Sequence, residues 1–370
     1  MPPVRYFGFS IFLLASLAAG GLCQSLPAQT TAAPAAGATA QVPVGAGSAA
    51  PESNAGGPDL HGVRHLIDSG HAAEALAQLD LLRTQVPVPA AVDRNRGLAL
   101  YALDRLIDAD NAFAQALVRD PGDAEAAQMR GLTLFRLGRP AAAIPLLEHA
   151  HASDVQTKAD PSYVLALCYI DTLRYDDARR AFAAQFHVPP ESAPAYLIAA
   201  RMLLRREYVP VAEGFATRAL VLDPQLPLAH ELLGEIALAG NHLDVAIVEF
   251  EKERLRNPVE GASYERLGDA YSRAARYPEA ARVLQQAVLL EPNSTGPYIL
   301  LGKVILKQGD AVGARTFLEK AEHMDPANFM THSLLAQAYR SLGRTADASR
   351  ELQLTEKIQA ADEPKAIAPQ

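Results

Sequence analysis

Pro224, Pro258, Pro292 and Pro326 stand 34 residues apart. A spacing that recurs without drift restricts the chain to an architecture that grows by copying one unit, and a period of this size fits a stacked helical hairpin. The same phase runs backwards through Pro190, Pro121 and Pro87, with Lys158 the one residue out of step. Placing each such proline at position 32 gives nine units, 56–89, 90–123, 124–157, 159–192, 193–226, 227–260, 261–294, 295–328 and 329–362. A chain of 370 residues that is 49% hydrophobic can bury much apolar surface. Repetition lets it do so without thickening a single core.

Within a unit the apolar pattern is helical. Positions 4, 8 and 11 share one stripe of a first helix, and positions 20, 24 and 27 share one stripe of a second, so the two stripes must face each other. Glycine at position 8 (Gly131, Gly234, Gly268, Gly302) and alanine at position 20 (Ala143, Ala178, Ala212, Ala246, Ala280, Ala314, Ala348) permit close approach. Bulky residues at positions 4, 7, 11 and 24 fill what remains. Gly70, Gly138, Gly240-Asn241, Gly309 and Gly343 mark the turn between the helices, and proline near position 32 stops the second helix.

Unit 261–294 carries Tyr264, Leu267, Gly268, Tyr271, Ala280, Ala287 and Pro292; unit 227–260 carries Leu233, Gly234, Ala246, Phe250 and Pro258; unit 90–123 carries Gly97, Ala109, Phe113, Ala116 and Pro121. Recurring in phase, these residues resemble the tetratricopeptide repeat (TPR) family, whose pattern is W-x2-L-G-x2-Y, then A-x3-F, then P. The resemblance implies an all-α, right-handed superhelical solenoid of about nine TPR helix-turn-helix units. It also implies a non-catalytic protein-protein interaction scaffold whose first helices line a concave face, with ligand contacts from positions 2, 5, 6, 9, 12 and 13.

Read onto this chain, those positions are apolar and aromatic toward the N-terminus: Arg94, Asn95, Leu98, Tyr101, Leu132, Phe135, Tyr163, Leu167 and Ile170. Further along they turn charged, as Arg201 and Arg205, Glu231 and Glu235, Glu265 and Asp269, then Lys303 and Lys307. The functional reading is a groove whose apolar half holds peptide side chains and whose charged half sets register. The plainer reading is that the leucines and Ile170 fill contacts between units, and that the acidic residues form part-solvated ion pairs with Arg201, Arg205, Arg266 and Arg273. Rigid helical carboxylates make a poor calcium cage, so no metal is expected there. Some relatives grip a peptide's C-terminal carboxylate with Lys and Asn at positions 5 and 9. Here Arg94 is followed at position 9 by Leu98, and that function is not carried over.

Departures from the pattern locate expected irregularities. Tryptophan is absent, and position 4 holds Tyr196, Tyr264, Tyr298, His230 and His332. Unit 159–192 has Thr172-Leu173-Arg174 where a turn glycine is usual, and Pro145 falls inside a second helix. The first unit, with Val63 at position 8, is the weakest match. No capping helix follows the ninth unit, so Arg350, Glu351, Glu356 and Lys357 of its second helix are expected to face solvent.

Ahead of the array, Arg5 precedes an apolar run from Tyr6 to Leu22 with small residues after it, the layout of a signal peptide or N-terminal anchor over 1–23. Leu22 before Cys23 departs from a lipoprotein signal. Residues 24–55 are rich in Ala, Pro and Gly and read as a disordered linker, and 363–370 as a flexible tail. The expected location is exported, periplasmic or extracellular. Cys168 is expected as a buried thiol with no disulfide partner.

A formal charge of −8 disfavours nucleic acid as a partner. No H-E-x-x-H, C-x-x-C or G-x-S-x-G occurs, and Gly296–Lys303 misses a phosphate loop by one residue inside a helical unit. His61 and His65 lie one turn apart without further ligands in view, and Asn293-Ser294-Thr295 fits a glycosylation acceptor. No enzyme and no cofactor are expected. The leading function is binding of a peptide or partner protein in the cell envelope; the alternative is a membrane-anchored envelope assembly or secretion accessory factor.

Overall fold

The computed structural model describes residues 60–84, 88, 91–152 and 161–362. The signal or anchor, linker and tail assignments lie outside the described residues, as does Lys158 with the junction it perturbs. The described secondary structure is all helical. The first three hairpins are α1 (Leu60–Asp68) with α2 (Ala72–Leu82), α3 (Val92–Ala102) with α4 (Leu106–Arg119), and α5 (Ala124–Arg136) with α6 (Pro140–Ala152). The next three are α7 (Ser162–Asp171) with α8 (Tyr175–Gln185), α9 (Ala193–Arg205) with α10 (Val209–Leu222), and α11 (Ala229–Ala239) with α12 (Leu243–Arg256). The last are α13 (Gly261–Arg273) with α14 (Tyr277–Leu290), α15 (Thr295–Lys307) with α16 (Ala311–Met324), and α17 (Phe329–Ser341) with α18 (Thr345–Asp362). Every hairpin falls within one 34-residue unit.

One backbone device makes all nine turns. Position 15 is left-handed in each unit: Gly70, Asp104, Gly138, Leu173, Glu207, Asn241, Ala275, Gly309 and Gly343. The amide of that residue and the next reach back to the helix just ended; in the third hairpin Gly138 N–H donates to the Phe135 carbonyl and Arg139 N–H to the Leu134 carbonyl, both at 2.9 Å. These bonds satisfy carbonyls that the helix end would otherwise orphan. At Gly240-Asn241 the glycine is right-handed, with φ −79°, and Asn241 makes the turn. The missing glycine at Leu173 therefore changes the strain of the turn and not its shape.

Alanine at position 20 is buried in every unit, from Ala75 through Ala348. The glycines at position 8 meet a large partner, not a small one. A Cβ on Gly234 would stand 2.5 Å from the Phe250 ring, one on Gly97 2.5 Å from Phe113, and one on Gly131 2.6 Å from Leu147. Position 24 thus seats its side chain directly on the backbone of the first helix, which is why Phe113, Phe182 and Phe250 are fully buried. Pro145 lies exposed on α6, which continues unbroken past it.

Neighbouring first helices touch along the array, α1 with α3, α3 with α5, α13 with α15 and α15 with α17, whereas successive second helices do not come as close. The row therefore curves with its first helices inside. At the far end Arg350, Glu356 and Lys357 are exposed as expected, but Glu351 is not. It is 5% exposed because its carboxylate turns inward to the ring of His332, 2.7 Å away. Among the described residues no helix is long and apolar enough to cross a membrane.

Candidate functional site: the inner face of the first helices

At the N-terminal end of the inner face, Arg94 spends its charge within the array. Its guanidinium lies 3.0 Å from Asp123 and 3.2 Å from Glu125, and Arg64 reaches Glu125 at 2.8 Å. Tyr101 is half-buried beneath Arg136, 4.9 Å from its ring centre, and Phe135 has Arg206 at 6.0 Å. Arg206 is itself held by Asp171 at 2.6 Å; burial raises the Asp171 carboxyl while Arg206 opposes the rise. Tyr163 is 38% exposed, with one ring edge against Phe182 at 5.8 Å. Leu98 and Ile170 are buried between units and Leu132 and Leu167 half-buried, as the plainer reading of the leucines requires.

The charged half divides into spent and unspent groups. Arg266 pairs with both Glu231, at 3.4 Å, and Glu235, and Arg201 approaches Glu235 at 3.9 Å. Burial raises the Glu231 carboxyl even against Arg266. Arg273 donates to the Leu238 carbonyl at 3.2 Å. By contrast Arg205, Glu265, Asp269, Lys303 and Lys307 make no ion pair among the described residues. Glu265 is half-buried with its carboxylate resting on Gly296, where a Cβ would displace it, and its carboxyl is raised first by burial and then by Glu291. The unspent charges fall on three first helices, a cation at Arg205 on α9, anions at Glu265 and Asp269 on α13 and cations at Lys303 and Lys307 on α15, with the paired Glu231 and Glu235 of α11 between the first two.

Three polar arrangements escaped a residue-by-residue reading. Position 4 is coupled to position 23 of its own unit: His230 meets Glu249 at 2.5 Å and His332 meets Glu351 at 2.7 Å, whereas Tyr196 and Tyr298 meet Phe215 and Phe317. The same position reaches back across the seam, where Tyr264, Tyr298 and His332 donate to the carbonyls of Pro258, Pro292 and Pro326. Tyrosine at position 11 donates to glutamate at position 25 of the preceding unit in Tyr169–Glu148, Tyr271–Glu251 and Tyr339–Glu319. An arginine at position 16 lies over each of those rings. In the second unit position 4 is Asp93, fully buried between Arg83 at 3.3 Å and Arg119 at 2.7 Å. The signal for the side-chain pairs of positions 4 and 23 and of positions 11 and 25 was a spacing of 19 to 21 residues, visible only when positions are compared jointly.

Glu322, His332 and Glu351 present three ligand atoms close together. Both nitrogens of His332 are already engaged, one by Glu351 and one by the Pro326 carbonyl, and the His230–Glu249 pair repeats the arrangement. Their chemistry is that of a fold-holding pair. His61 and His65 are exposed on α1. Cys168 is fully buried, and burial pushes its thiol up to about 12, with the Asp171 charge adding to the rise.

Nine stacked hairpins with an open, unevenly charged inner face define a protein-interaction scaffold. Tetratricopeptide repeat family models match residues 163–227, 265–329 and 305–367, and the model for anaphase-promoting complex, cyclosome, subunit 3 matches 99–185. The chain belongs to the tetratricopeptide repeat family. Among curated proteins it is 26% identical over 285 residues to cellulose synthase operon protein C of Xanthomonas axonopodis pv. citri (strain 306), covering 74% of this chain and 17% of that one. It is 24% identical to the human protein O-mannosyl-transferase TMTC3, covering 64% of this chain and 26% of that one. It is 28% identical to the chloroplastic tetratricopeptide repeat domain-containing protein PYG7 of Arabidopsis thaliana, covering 32% and 38%. The chain thus spans less than two-fifths of each relative's length. Among solved structures, MamA from Desulfovibrio magneticus RS-1 superposes with a TM-score of 0.44 at 18% identity, over 46% of this chain and 97% of that one. YrrB, described as a TPR protein with an unusual peptide-binding site, gives 0.42 at 21% identity, over 50% and 95%.

Proposed function

We propose that this chain is a non-catalytic scaffold that takes an extended peptide or a partner protein along the inner face of its first helices. The observation that carries the reading is the unspent charge of Arg205, Glu265, Asp269 and Lys303 on that face, beside Arg94, Glu231 and Glu235, whose charges are neutralised within the array. Charges held on rigid helices and left unpaired are available to fix a partner's register. Tyr101, Phe135 and Tyr163 supply the apolar part of the same path. A photo-reactive residue at position 269, compared with one at Gln286 on the outer surface of α14, tests this in the cell of origin. Crosslinks from 269 that vanish in the R201E/R205E background support the groove; equal yields from both positions overturn it.

The location we propose is the exported side of a membrane, on the strength of Arg5 and the apolar run Tyr6–Leu22. The same run favours a second reading, an envelope assembly or secretion accessory factor tethered by an uncleaved anchor. Fractionation separates them: a soluble mature form beginning beyond residue 28 removes the tethered reading.

A further inference from the structure

On the outer surface, several second helices expose single apolar residues, such as Ile107 and Val118 on α4 and Leu289 on α14, but among the described second helices α12 alone has valine at both positions 19 and 22. The side opposite buried Phe250 exposes Asp244, Val245, Val248, Lys252, Leu255 and Arg256, with Val245 54%, Val248 52% and Leu255 71% accessible. At positions 19 and 22, where α12 has its two valines, α4 carries Asp108 and Asn111, α14 Glu279 and Arg282, and α16 Gly313 and Thr316. Valine is neither a strong helix former nor at ease in water, so two of them on an exposed helical stripe call for a covering partner.

The order of residues says which partner. Asp244, Val248, Lys252 and Arg256 are spaced by four and form one ridge along the helix. That ridge is complementary to itself when reversed. Laid antiparallel about the level of residue 250, it sets Asp244 against Arg256 of a second copy and Val248 against the Lys252 stem of that copy, each pair occurring twice by the two-fold axis. A crossing of about −50°, the usual angle when rows spaced by four align on both helices, keeps the two ridges in register. Val245 and Leu255 lie on opposite flanks of the ridge and close over its sides. Asp244 makes no ion pair among the described residues. Arg256 donates to the Pro224 carbonyl at 2.7 Å, which fixes its guanidinium at the end of the stripe.

We propose that this chain forms a two-fold dimer through the outer face of α12, leaving the inner face of both copies open. The proposal goes beyond the groove reading and does not depend on it. Sedimentation equilibrium on the full chain tests it. The wild type should show a concentration-dependent dimer, and D244R or R256D alone should weaken it by about tenfold or more through like-charge contacts. An equimolar mixture of the two variants should regain dimer to within about threefold of wild type, because each copy then meets its opposite charge at both ends. V248E should also dissociate the dimer. A wild type that stays monomeric at about 100 μM, single variants that dimerise like wild type, or a mixture no tighter than its components would each overturn the proposal.

Discussion

The hydroxyl of Tyr271 donates to the Glu251 carboxylate of the preceding unit at 3.0 Å, beneath the Arg276 guanidinium, 4.7 Å from the ring centre. Burial first, and then the carboxylate, raise the phenol above its ordinary range, so the proton stays on the tyrosine and the bond is charge-assisted. Y271F should cost about 1.5–3 kcal/mol of unfolding free energy. A double-mutant cycle with E251Q should show that the two losses are not additive; full additivity in urea melts would mean that the bond contributes nothing to the seam.

G268A should destabilise although alanine favours helix by about 1 kcal/mol, because its methyl would enter the space of the Leu284 side chain. A280L overfills the same hairpin from the other helix and should cost about 1–3 kcal/mol. Thermal melts showing either variant as stable as wild type would refute this packing.

L173G should stabilise. Leu173 holds φ +62° on an exposed turn, a conformation costing about 1–2 kcal/mol, of which the greater freedom of unfolded glycine returns part. A net gain of about 0.5–1 kcal/mol is expected. A loss would mean that the leucine side chain holds something the turn needs.

His332 gives the last unit a pH dependence of known sign. Burial opposes its charged form, but the Pro326 carbonyl and Glu351 outweigh burial and raise its value above 6.5. Both ring nitrogens face acceptors, an arrangement that favours the doubly protonated ring. Its contribution is complete below the unfolded value and fades as pH rises through the raised folded one. Melts between pH 5 and 9 should therefore show a decline on the alkaline side that E351Q flattens while costing about 1–3 kcal/mol near pH 6. An unchanged slope in E351Q would remove His332 as the cause.

Glu265 and Asp269 are like charges one turn apart on α13, and the Glu265 carboxyl is raised by burial and by Glu291. E265Q should therefore stabilise the fold by about 0.2–0.5 kcal/mol while weakening capture at the inner face. Equal or tighter capture by the variant would place the partner elsewhere.

The hairpins, their borders and their close approach were legible because one constraint, the facing of two helical stripes, acts at every repeat. Turn glycines showed only part of the turn. Position 15 is left-handed in all nine units, yet Asp104, Leu173, Glu207 and Ala275 occupy it, since packing on both sides imposes the conformation and the side chain only sets its cost. Glu351 was misjudged for a different reason. Charge and terminal position suggested solvent, while its fate was decided by histidine in place of an aromatic residue at position 332. Asp93 was missed likewise, its arginines lying 10 residues before and 26 after it. On the inner face, composition revealed where charge accumulates; which charges are spent depends on distances between neighbouring units.

Each seam from Pro258 onward is fastened by a side chain at position 4 that reaches a main-chain carbonyl of the unit before. A backbone acceptor is present whatever residue stands there. A tandem duplication of 34 codons would therefore deliver a donor and find its receptor already in place, so length in this array can change by whole modules in a single genetic event, without any prior adjustment of the neighbours.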